Sequence, residues 1–101
     1  MVNIMRLDPK FANSPTNDDL PLLFLAFLMA DDDRRDQFMA TSGLAVDELR
    51  DRLHEPNFKS FLLDYALSDE KLILDFSSEH GVDPQIFMNA RRKLPGAEFD
   101  M

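Results

Sequence analysis

Residues 20–43, LPLLFLAFLMADDDRRDQFMATSG, are written again 38 positions later as residues 58–81, FKSFLLDYALSDEKLILDFSSEHG. Leu25, Asp31, Phe38 and Gly43 recur as Leu63, Asp69, Phe76 and Gly81. Chemical type is also kept at Leu20/Phe58, Leu23/Phe61, Phe24/Leu62, Phe27/Tyr65 and Asp32/Glu70, and further on at Leu44/Val82 and Leu49/Phe87. Self-similarity at a fixed period decides architecture before any local reading does. Apolar positions, helix starts and glycines stay in phase across residues 18–92, so the expectation is two copies of one helical unit.

Working outward, each unit reads as three helices. The first spans residues 19–30, with Asp18 and Asp19 offering N-cap oxygens and Pro21 in the first turn. Asp31, Asp32 and Asp33 open the second, where carboxylates suit the positive end of the helix dipole, and Gly43 closes it as a left-handed residue. The third covers about 46–54, with Val46, Leu49 and Leu53 on one face and the supportive pairs Glu48/Arg52 and Asp47/Arg50 on the other. Pro56 starts the fourth, whose Phe58, Phe61, Leu62 and Tyr65 form an amphipathic stripe. Ser68 or Asp69 caps the fifth, with Leu72, Ile73 and Phe76 inward and Gly81 at its end. Asp83 then Pro84 opens the sixth, whose apolar set is Ile86, Phe87, Ala90 and Leu94; Pro95-Gly96 stops it. No segment alternates with period two over β-branched residues. The fold class expected is all-α, a compact bundle of about six short helices in two pseudo-repeated units joined through helices one and four. Residues 1–17 read as a flexible arm, 18–96 as the single domain and 97–101 as a tail.

Composition narrows the chemistry. The chain has 101 residues, nine Phe, no Trp and a formal net charge of −8 from 19 acidic and 11 basic side chains. One domain fits that length. The acidic balance repels polyanions, which disfavours nucleic acid and anionic membranes as partners. The absence of cysteine excludes disulfides and thiolate chemistry and suits a cytoplasmic setting. Residues 20–30 rise roughly 16 Å as a helix, about half of a bilayer core, so the greasiest segment does not span one.

Six further phrases carry a family resemblance: Phe27-Leu28, the acids at 31–33, Ser42-Gly43-Leu44, the segment 69–76, Gly81-Val82-Asp83-Pro84, and Ala90-Arg91 followed by Leu94-Pro95-Gly96. Over residues 20–96 the chain resembles a family of small bacterial proteins known as a domain of unknown function. That resemblance implies an all-helical body in a bacterial cytoplasm and brings no catalytic residues. Ala45-Val46 departs from it, standing where the family often has Asp-Pro, which leaves helix three without its best cap.

Asp31, Asp32 and Asp33 carry hard-cation ligands, yet consecutive helical residues splay about 100° apart and converge poorly. His54 and His80, each beside a glutamate, sit near helix ends, where an imidazolium is favoured. Ser42, Ser60, Ser68, Ser77 and Ser78 lack a nucleophile-elbow pattern, and three glycines form no phosphate loop. The expectation is therefore no enzyme, no cofactor and no metal. Helix one is apolar all round, so it must be covered all round, either as the centre of the bundle or by a second copy or another protein. Phe24, Phe27 and Met29 are the interaction residues to test on it, and Arg91, Arg92 and Lys93 form a basic end on helix six. Together these give a non-enzymatic interaction or regulatory module that binds a protein partner or itself. The alternative is a small DNA-associated regulator using the basic end.

Overall fold

Acid at the start and glycine at the end set the limits of the helices over 32–42 and 70–80. The computed structural model describes Thr16 and residues 19–94. Apart from Thr16, the arm expected over 1–17 lies outside the described residues, as do Asp18, Pro95, Gly96 and the tail. Six α-helices follow one another: α1 (Leu20–Met29), α2 (Asp32–Ser42), α3 (Val46–Arg52), α4 (Pro56–Leu67), α5 (Glu70–His80) and α6 (Gln85–Arg92), with no strand among the described residues. Shifting α2 by 38 positions gives the limits of α5 at both ends, so the period is structural as well as chemical.

The recurring residues do the same work in both copies. Asp31 caps α2 by accepting from the Arg34 N–H, and Asp69 caps α5 by accepting from the Lys71 N–H. Gly43 and Gly81 end those helices at φ +71° and +66°, a region in which any other L-residue is strained. Phe38 and Phe76 are fully buried, as are Phe24 and Leu62. Leu23 and Phe61, paired in the sequence, are both left partly exposed.

One expected cap is different, and one expected gap is half filled. Asp19 makes no side-chain cap bond; the Thr16 hydroxyl instead accepts from the Asp19 N–H, and its carbonyl accepts from the Leu20 N–H. Ala45 has no oxygen to cap α3, so half of a capping box remains, with the Glu48 carboxylate accepting from the Ala45 N–H at 2.9 Å. Glu48 is thus turned toward the helix start instead of toward Arg52, which lies 3.8 Å from Glu55. At α6, Asp83 does accept from the Gln85 N–H, at 2.8 Å.

The two halves meet as a reciprocal contact. Phe27 of the first lies edge-on to Phe76 of the second, ring centroids 5.4 Å apart at 86°. Phe38 of the first lies edge-on to Tyr65 of the second, 5.1 Å apart at 77°. Adding 38 converts Phe27 to Tyr65 and Phe38 to Phe76, so one contact is made twice with the roles exchanged. That is the pattern of a twofold interface, here within one chain. Helices α1 and α4, equivalent in the repeat, pack on each other at its centre.

Helix one is not the hub. Helix α4 packs against α1, α5 and α6, whereas α1 packs closely on α2 and α4 alone. It reaches the others by ring size: Phe24 touches Phe76 on α5 and Phe87 on α6 at centroid distances of 5.9 and 5.3 Å. Leu23 and Ala26 remain exposed, so α1 is buried on most of its surface, not all.

Candidate functional site

Helix α3 is the loosest element. It has seven residues, one of them buried (Leu49), and approaches no other helix closely. Val46, expected on the inward face, is 53% exposed, because it stands in the first turn, beyond the reach of the core that holds Leu49. Its counterpart α6 buries Phe87 and Ala90 and lies against α4. Where α3 stands off, a groove of about 260 Å³ opens between the end of α2, α3 and the start of α4.

Leu44, Phe58 and Phe61 make the apolar lining, and Ser42, Arg52, Glu55 and Asn57 the polar edge. Phe58 and Phe61 stack with centroids 6.3 Å apart, and Phe61 also meets Phe38 at 6.0 Å, so a buried ring anchors an accessible one. Phe61 keeps 36% of its surface open. Ser42 is committed to the helix end, accepting from the Leu44 N–H at 3.2 Å. The charged edge is the Arg52/Glu55 pair, exposed on both sides. Such a surface can hold an apolar anchor and orient it with one positive and one negative group. Nothing in it is arranged to activate a nucleophile or polarise a carbonyl.

The residues singled out from sequence fall elsewhere. Phe24 and Phe27 are 0% and 4% exposed, so they belong to the core and form no interaction surface of the folded chain. Met29 is half-buried against that core. Arg91 is clamped by Asp64 in a two-pronged pair, with Nε at 2.7 Å, leaving Arg92 and Lys93 as the exposed part of the basic end. Asp31 is a cap and Asp32 pairs with Arg35 at 3.2 Å. Among the described residues no three His, Asp or Glu side chains gather closely enough to hold a metal ion. His54 is exposed, while His80 stacks on Phe76 at 4.2 Å. Ser68 donates to the Tyr65 carbonyl at 2.7 Å; the buried Ser77 hydroxyl has no hydrogen-bond partner among the described residues.

Tyr65 and Asp75 have their titration displaced by their surroundings. Burial raises the Tyr65 phenol above its ordinary value, and the nearby Asp69 charge adds to this against an opposing hydrogen bond with Thr41. Asp75 is lowered by the hydrogen bond it accepts from Lys71, with the Lys71 and Arg34 charges helping. Arg34 also lies 4.0 Å above the Phe27 ring, which ties α2 to both halves at once.

Residues 16–97 match a family model described as a protein of unknown function (DUF3572). The chain belongs to that family. No curated protein and no solved structure matches this member. No helix among the described residues of this DUF3572 protein is long and apolar enough to cross a membrane. The groove was missed from sequence because Phe58 and Phe61 look like core on an amphipathic stripe. The available signal was in α3, whose missing cap and thin apolar face leave it unable to close over them.

Proposed function

We propose that this DUF3572 protein is a non-enzymatic protein-binding module that receives an apolar side chain of its partner in the groove beside Phe61. The observation that carries this reading is an accessible ring set between a buried aromatic pair and an exposed ion pair. Small-molecule pockets generally run about 300–1,000 Å³, so about 260 Å³ suits an anchoring side chain better than a substrate. A phenylalanine has about 150–250 Å² to bury; covering the open third of Phe61 is worth roughly 1.5–2 kcal/mol before the partner's own surface is counted. The basic-end DNA reading has less support, since Asp64 already holds Arg91.

Affinity capture from cell lysate, with wild type and Phe61→Ser side by side, tests the proposal. The expected result is a protein retained by wild type and lost with Phe61→Ser while helical content is unchanged. Identical captured sets for the two would remove the groove from the function. Light scattering over a concentration series shows whether a second copy of the chain is itself the partner.

A further inference from the structure

We infer that the groove beside Phe61 seats the outer face of helix α6 from a second copy of this chain, an inference that rests on the groove being a protein-binding seat. Along α6, Gln85, Met88, Asn89 and Arg92 are exposed at the i, i+3, i+4 and i+7 positions of one helix face. Phe87 and Ala90, on the inner side, are buried. Met88, 40% exposed, is the apolar anchor that this outer face offers, with Arg92 and Lys93 beyond it.

Charge selects the occupant. Residues 46–55 and 84–93 are equivalent in the repeat, yet the first stretch carries four acids against two arginines and the second carries three basic residues and no acid. Glu55 and Lys93 stand at the same place in the two units with opposite signs. Asp64 holds Arg91, whereas Arg92 and Lys93 are exposed and form no ion pair among the described residues. Within one molecule α3 and α6 do not pack closely on each other, so their opposite charges are left to meet between copies. Two chains of net charge −8 repel at long range, and bringing α6 onto α3 is an approach that sets unlike signs together.

Shape agrees with charge. Leu44, Phe58 and Phe61 line a groove of about 260 Å³, room for one side chain, and an unbranched thioether fills an irregular seat and packs well on aromatic rings. Arg92 follows Met88 by about 6 Å of helix rise on the same face, which brings it toward Glu55 on the groove edge. Glu55 lies 3.8 Å from Arg52, longer than a charge-assisted hydrogen bond, so its carboxylate keeps acceptor sites for a second cation. The two surfaces differ, so a pair of copies still presents one open groove and one open α6 face. Association of this kind continues past the dimer, into a closed ring or an open row.

Sedimentation velocity on the full chain over a concentration series at low salt tests this, with helicity followed by circular dichroism. Wild type should exceed twice the chain mass and fall back as added salt screens the charges. Met88→Asp and Phe61→Ser should each be monomeric with unchanged helicity. Mixed together, the two variants should form a one-to-one pair and stop, since the first keeps its groove and the second its α6 face. Arg92→Glu should weaken assembly by about tenfold, and Glu55→Arg in the same chain should restore it. A wild type that stays monomeric, an assembly that stops at two, or variants that fail to pair on mixing each overturn the inference. Assembly that survives Phe61→Ser but not Met88→Asp gives the α6 face another seat and also overturns it. In any of these cases lysate capture decides the groove reading separately: a protein lost with Phe61→Ser and retained with Met88→Asp leaves the groove in use by a different partner.

Discussion

The two halves share a pattern but not a degree of closure. The second half buries Ile73, Phe76, Ser77, Val82, Phe87 and Ala90 beyond α4, while the matching part of the first half buries Phe38 and Leu49. Phe87 meets Phe24 and Phe76 ring to ring; Leu49, its counterpart, is buried but brings no ring to the cluster. Asp83 caps α6, and Ala45 does not cap α3. One unit has therefore become the scaffold, and the other, held open by a missing cap and a smaller side chain, has the surface left over for contact. Duplication supplied two copies, and their divergence supplied the groove.

The strongest way to break this comparison is to charge the shared centre. Phe24→Glu leaves an unpaired carboxylate among Phe27, Phe76 and Phe87 at a cost of several kcal/mol, and circular dichroism should show an unfolded chain. Retained helicity would mean that this ring is not core. Next in size are the paired truncations Phe76→Ala and Phe38→Ala, each expected to cost about 3–5 kcal/mol in urea unfolding. Phe76 should be the worse, since it contacts Phe24, Phe27, Phe87 and His80, while Phe38 contacts Phe61 and Tyr65. The reverse order would sink the claim that the second half is the scaffold.

Gly43→Ala and Gly81→Ala sharpen the comparison at the next level. A methyl at either place meets nothing within 4 Å, so only the positive φ is strained, at about 1–2 kcal/mol each. Equal losses show one cooperative body; a smaller loss at Gly43 shows α2 and α3 opening on their own. Ala45→Asp should work the other way, stabilising by about 1 kcal/mol and slowing amide exchange in α3. The smallest effect concerns Asp75. Its lowered pKa means that its contribution to stability is present above the ordinary Asp range and is lost as pH falls through the lowered value. Lys71→Ala should move the Asp75 titration, followed by carboxyl carbon shifts, back toward the ordinary range.

Much of the fold was legible because helix punctuation is local chemistry. Asp31, Asp69, Gly43 and Gly81 each act on a neighbouring turn, and the 38-residue period placed them twice. What was not legible is which apolar residue loses its cover. Phe24 and Phe61 look alike in sequence, yet the first ends under Phe76 and Phe87 and the second at the mouth of the groove. That outcome depends on how α3 and α6 close, a long-range matter that residue spacing does not encode. Val46, expected on the inward face of α3, is exposed for the same reason.

The exchanged contacts of Phe27 with Phe76 and Phe38 with Tyr65 have a consequence for how the chain is joined. Leu53, His54 and Glu55 connect two pieces that recognise each other as subunits do, so this linker sets their local concentration more than their geometry. A backbone cut there should leave two peptides that reassociate on mixing, folding together and neither alone.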